Sequence, residues 1–136
     1  MPIKIYKPTS PGRRQSSVAA FKDITKSKPE KSLIKILKPK SGRNNQGVIT
    51  VRHKSGGAKK YYRLVDFKQH VFDIPAKVMA IEYDPNRGCR IALIQYENTV
   101  KSYIIAPEGL HVGDSVVSSQ KFVEAKVGNR MPLNLI

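Results

Sequence analysis

Between residues 47 and 117 the chain consists of β-branched and aromatic runs of six to eight residues, each closed by a tight-turn signal. Such runs favour pleated backbone, and none carries the 3.6-residue apolar stripe of an amphipathic helix. Gly47-Val48-Ile49-Thr50-Val51-Arg52-His53 leads through Ser55-Gly56-Gly57-Ala58 to Lys60-Tyr61-Tyr62-Arg63-Leu64-Val65-Asp66-Phe67. The pair predicts a hairpin with cations on both strands and at its tip. A third strand is expected at Ala76-Lys77-Val78-Met79-Ala80-Ile81-Glu82-Tyr83, followed by an Asp84-Pro85-Asn86-Arg87-Gly88 turn in which proline presets the second position. Arg90-Ile91-Ala92-Leu93-Ile94-Gln95-Tyr96 is apolar on both faces, which predicts a central strand. A short reversal leads to Lys101-Ser102-Tyr103-Ile104-Ile105-Ala106, and His111 to Val117 reads as a turn and a last strand.

Five or six short strands without a convincing helix predict an all-β fold. Over residues 47–126 the expected form is a small five-stranded Greek-key barrel of the oligonucleotide-binding (OB) type. Residues 1–46 are different in texture. Pro2, Pro8, Pro11, Pro29 and Pro39 interrupt any helix, and Gly12, Ser16, Ser17, Ser41 and Gly42 add flexibility. This stretch is expected to be an irregular basic extension, largely disordered alone in water because it buries too little to offset its ordering entropy. Its one apolar cluster, Leu33-Ile34-Lys35-Ile36-Leu37, reads as a short strand or a surface-docking segment. Residues 127–136 read as a linker leaving the barrel.

Charge divides the chain differently from fold. Residues 1–70 hold 18 basic and 3 acidic side chains, and residues 71–136 hold 7 of each, so the net charge of +15 belongs wholly to the first part. Residues 1–46 contribute +10 and residues 47–70 contribute +5. A polyanion is the natural ligand, because each phosphate neutralised by a cation releases counterions. No apolar run approaches the ~18 residues of a membrane span, and the first residues carry no secretory h-region. The lone Cys89 offers no internal disulfide, and a reducing interior is expected.

The strongest binding signal runs from Lys40 to Lys68. Lys40, Arg43, Asn44 and Asn45 combine cations and amides on glycine-rich backbone, a set able to follow an irregular RNA surface. Arg52, His53 and Lys54 precede the double-glycine turn, and Lys59, Lys60 and Arg63 follow it. Lys7, Arg13 and Arg14 form a second cluster on the proline-kinked tail, suited to phosphate contacts. Tyr61 and Tyr62 alternate in direction, so at most one is available to stack on a base. His53, His70 and His111 lie far apart without a nucleophile or paired carboxylate, and no acidic, cysteine or glycine-rich pattern offers a metal or nucleotide site. Neither catalysis nor a cofactor is expected.

Several longer motifs then fall in order: Lys7-Pro8-Thr9-Ser10-Pro11-Gly12-Arg13-Arg14, Pro29-Glu30-Lys31-Ser32-Leu33, Ser41-Gly42-Arg43-Asn44-Asn45, Arg63-Leu64-Val65-Asp66-Phe67-Lys68, Glu82-Tyr83-Asp84-Pro85-Asn86-Arg87, Ile91-Ala92-Leu93, Tyr103-Ile104-Ile105-Ala106-Pro107 and Gly128-Asn129-Arg130-Met131-Pro132-Leu133. Together they resemble the N-terminal half of the universal large-subunit ribosomal protein "L-two" family, in its bacterial and organellar branch. The resemblance implies a basic tail threaded into ribosomal RNA ahead of an OB-type barrel, with contacts on the tail, Lys40–Asn45, Arg52–Lys60, Arg63, Lys68 and Arg87. In one place the chain departs from the family, which has a longer glycine turn followed by histidine where Gly56-Gly57-Ala58-Lys59 stands here. Family members also continue into a second small barrel, so the resemblance implies either a separate polypeptide carrying that half or a fragment.

The function expected is that of a structural constituent of the large ribosomal subunit, binding ribosomal RNA beside neighbouring ribosomal proteins and supporting assembly and translation. Its expected place is the ribosome of a bacterial cytoplasm, a mitochondrial matrix or a plastid stroma, away from membranes. The alternative is a free-standing OB module acting as an RNA chaperone or regulator outside the ribosome.

Overall fold

The computed structural model describes residues 2–135. The fold is organised around an antiparallel hairpin of β5 (Ala76–Asp84) and β6 (Cys89–Tyr96), paired from Ala76 opposite Tyr96 to Asp84 opposite Cys89. Its turn closes as the sequence predicts: the Asp84 carbonyl accepts from the Gly88 amide at 2.8 Å, and Gly88 takes a φ of +70° that suits glycine. β7 (Lys101–Ile105) flanks β6, and the two-residue β8 (Ser115–Val116) flanks β5, giving the order β7-β6-β5-β8.

The register slips between Val78 and Ala80, a bulge at Met79. Bulges sharpen strand twist, and this one curls the four-stranded sheet into a half-barrel. Both sheet faces are buried. Ala76, Val78, Ala92, Ile94, Tyr96, Ile104, Leu110 and Val116 form one cluster, while Ala80, Ile91, Leu93 and Tyr103 form another. The central position expected for the β6 run follows from this double burial.

The second cluster is covered from the N-terminal side. A 3-10 turn at Lys31–Leu33 feeds β3 (Ile34–Ile36), which pairs antiparallel with β4 (Tyr61–Arg63). Leu33 and Val65 pack on the cluster, and Val65 bridges Tyr103 so that the β3–β4 ribbon leans on the β7 edge. The nearly all-β, half-barrel arrangement is that of an OB-type fold. The main sheet has four strands where five were expected.

One predicted element does not form. Residues 47–53 are not a strand, and β4 takes Ile34–Ile36 as its partner instead. β3 brings Leu33 onto the core, whereas Val48, Ile49 and Val51 remain exposed and would bury nothing there. Contacts also cross the expected boundaries at residues 46 and 127. Thr25 and Ile81 exchange backbone and hydroxyl hydrogen bonds, including Ile81 N–H to Thr25 Oγ1 at 2.9 Å. Gly128, at φ +95°, lies so close to Val116 and Leu110 that a Cβ would overlap them, and Arg130 N–H donates to the Val117 carbonyl at 2.9 Å.

Residues 2–20 stand apart. β1 (Ile3–Ile5) and β2 (Ser17–Ala19) pair as a small ribbon, and the backbone hydrogen bonds among the described residues of this segment close within it. Within this ribbon the Lys7–Gln15 turn is the irregular part. No helix of the described residues is long and apolar enough to cross a membrane.

Candidate nucleic-acid interface

From residue 31 to residue 65 the chain has ten Lys and Arg residues and no Asp or Glu. The carboxylates around this stretch are already engaged: Asp66, which follows it directly, accepts from the Lys68 and Gln69 amides at 3.1 and 2.8 Å. Asp23 binds Arg90 at 2.6 Å, and Glu30 binds Lys26 and Lys101 at 3.2 and 3.3 Å. These partners hold both carboxyls below their ordinary range, chiefly through the side-chain hydrogen bonds. Arg87 alone of the expected contact residues takes part in an ion pair among the described residues. The positive charge of residues 31–60 therefore faces solvent without internal compensation.

The loop that carries Arg43 is built by its own backbone. Gly42 sits at φ +68°, and a Cβ there would collide with the Val51 carbonyl oxygen. Its own carbonyl accepts from the Thr50 and Val51 amides at 3.0 and 3.1 Å. Asn44 Oδ1 accepts from the amides of Gln46 and Val48 at 3.0 and 2.9 Å, an Asx-type closure. Arg43 bridges Ile49 across the loop. One role expected of Asn44 is thus partly taken: its oxygen shapes the loop of this exposed residue. Lys40, Arg43, Asn44 and Asn45 line one shared concavity.

Arg52, His53, Lys54, Lys59 and Lys60 follow on exposed, irregular backbone. His53 adopts φ +59°, one reason the run cannot continue as a strand. Lys60 Nζ reaches the Pro85 carbonyl at 3.4 Å, tying the end of the loop to the β5–β6 turn. Lys68 is exposed, and its carbonyl accepts from Arg130. On the ribbon, Lys7, Arg13 and Arg14 are exposed at the turn, with the Arg13 and Arg14 amides both donating to the Ser10 carbonyl.

Two expected contact residues are placed elsewhere. Arg63 is 7% exposed, facing inward from β4 with Nη1 donating to the Tyr61 carbonyl at 2.8 Å. Its guanidinium cannot meet an external ligand without leaving the fold. Arg87 is committed to the chain itself. It pairs with fully buried Asp84, donates to Tyr62 Oη at 2.8 Å, and lies over the Tyr62 and Phe67 rings at 4.8 and 5.3 Å. The Asp84 hydrogen bond raises its pKa further. Of the two tyrosines, Tyr61 is exposed and Tyr62 is half-buried beneath Arg87, in line with the alternation.

Two other features carried no sequence signal of their own. Lys4 and Arg13 lie over the Tyr6 ring at 5.4 and 4.9 Å, a cation–aromatic cluster that the ribbon brings together. Val48, Ile49 and Val51 are exposed, although their β-branched character predicts burial in a strand.

The arrangement is that of a cationic, glycine-shaped loop and a basic ribbon mounted beside a half-barrel. Residues 30–118 match the family model described as Ribosomal Proteins L2, RNA binding N-terminal domain. The chain belongs to this ribosomal protein family, and the matched residues, which span the half-barrel and the cationic loop, are its RNA-binding N-terminal domain.

Proposed function

We propose that the chain is a structural constituent of the large ribosomal subunit that holds ribosomal RNA and supports subunit assembly and translation. In this reading the RNA lies against Lys40, Arg43, Asn45, Arg52, His53, Lys54, Lys59 and Lys60, with Lys7, Arg13, Arg14 and Lys68 extending the contact. The single observation that carries it is the stretch of ten cations and no carboxylate between residues 31 and 65, nearly all of it exposed. Uncompensated cations on shaped backbone suit phosphates, and the family match supplies ribosomal RNA as their source. Arg63 and Arg87 serve the fold and shape the interface indirectly.

Sedimentation of a lysate containing the tagged chain tests this. The chain should travel with the large subunit and with its precursor particles. Recovery in the light fractions, still bound to RNA, would instead favour a free-standing RNA-binding module.

A further inference from the structure

Val48, Ile49 and Val51 are 58, 57 and 52% exposed, on a loop whose backbone is fixed by the Gly42 and Asn44 hydrogen bonds. Three exposed β-branched aliphatics thus share one small preformed loop with cations: Arg43 pairs with Ile49 across it, Arg52 follows Val51 directly, and Lys54 lies against Gly42. Apolar surface left open in this way marks a contact site. The partner must offer apolar faces and dense negative charge together. A protein surface rarely combines the two at this scale, whereas RNA with unpaired nucleotides does: phosphates outside, and unstacked base and ribose faces within. A regular A-form duplex offers the charge but hides its base faces.

We propose that Val48, Ile49 and Val51 form an apolar wedge that packs against unstacked bases, so that this loop prefers RNA interrupted by an internal loop or bulge over continuous duplex. The inference rests on the RNA-binding reading above and adds the class of RNA and the residues that select it. The flanking cations supply charge-driven affinity common to any RNA. The aliphatics supply a salt-independent increment for RNA with exposed base faces.

The test compares the full chain with a Val48→Thr, Ile49→Thr, Val51→Thr variant, which keeps β-branching while making the tip polar. Each is titrated, over a series of salt concentrations, with a fully paired RNA duplex and with a duplex of equal phosphate number carrying an internal loop of unpaired nucleotides. The variant is expected to lose on the order of tenfold or more in affinity for the looped RNA. Its duplex affinity and the slope of log K against log salt should match those of the parent. Equal losses on both RNAs, or parent-like binding to both, would overturn the wedge while leaving the general RNA-binding reading in place. If the parent itself binds neither RNA, that broader reading fails first. Should the triple variant melt below the parent, Ile49→Thr alone carries the same comparison, with a loss of about threefold expected on the looped RNA.

Discussion

Tyr103 is fully buried at the meeting point of three elements. Its hydroxyl donates to Glu82 Oε2 at 2.7 Å and accepts from the Glu30 amide at 2.8 Å, so one oxygen joins β7, β5 and the N-terminal strap. Tyr103→Phe strands a buried carboxylate oxygen and a backbone amide, and should cost about 2 kcal/mol in denaturant unfolding. Glu82 is itself out of its ordinary range: burial pushes its carboxyl upward, against the opposing pull of the Tyr103 hydrogen bond and of Lys26 at 3.8 Å. A carboxyl raised in the folded state binds its proton more tightly there than in the unfolded chain. Its contribution to stability is therefore fullest below the unfolded value and is lost as pH rises through the folded one. Asp23 and Glu30, both lowered, act in the opposite sense, their contribution being lost as pH falls. Glu82→Gln keeps an acceptor for Tyr103 and removes the buried charge. The variant should be at least as stable as the parent at neutral pH, and its stability should rise relative to the parent's between about pH 4 and 7, roughly the span above an ordinary carboxyl pKa. A neutral-pH loss like that of Tyr103→Phe would show that the Lys26 pairing outweighs the cost of burial.

At the level of elements, the N-terminal 46 residues divide near residue 21. Residues 2–20 form the ribbon, whereas Phe21 packs at a tilt against Tyr83, Asp23 holds Arg90, Thr25 pairs with β5 and Leu33 packs on the core. Deleting residues 2–20 should leave the melting temperature within a few degrees of the parent. Deleting residues 2–36 removes β3 and the cover of the second cluster and should lower it by more than ~10 °C, each kilocalorie being worth about 4–8 °C at this size. Melting followed by circular dichroism separates the two, and equal stability of both truncations would return the whole stretch to the status of a tail. The β5–β6–β7 meander was legible in the sequence because its strands are consecutive and its turns announce themselves, as at Asp84–Gly88. The β3–β4 pairing was not, since Ile34 meets Arg63 across nearly thirty residues and the nearer β-branched run offered a simpler hairpin. Local patterning ranks Val48, Ile49 and Val51 as strand residues. It cannot register that the core is already covered by Leu33 and Val65. The inward turn of Arg63 was hidden for a similar reason: it depends on a strand partner that only the tertiary fold reveals.

Across the whole molecule, the cations separate into those that hold the fold and those that face outward, a distinction that net charge does not contain. Arg87 and Arg90 belong to the first kind through Asp84 and Asp23. Lys40, Arg43 and Arg52 belong to the second, exposed and outside every ion pair among the described residues. Lys77 and Lys121 are equally exposed but lie in the neutral part of the chain. If location governs binding, replacing Lys40, Arg43 and Arg52 by Gln should flatten the log–log salt dependence of RNA binding by about 2–3, roughly 0.7–0.9 for each phosphate no longer neutralised. Replacing Lys77 and Lys121 should leave that slope unchanged. Arg87→Ala should act through stability, costing about 3 kcal/mol by leaving Asp84 buried without its partner. RNA binding measured well below the melting temperature should then keep the parental slope. A comparable flattening from Lys77 and Lys121 would mean that RNA responds to a diffuse positive field, and the mapped surface would lose its claim to be the interface.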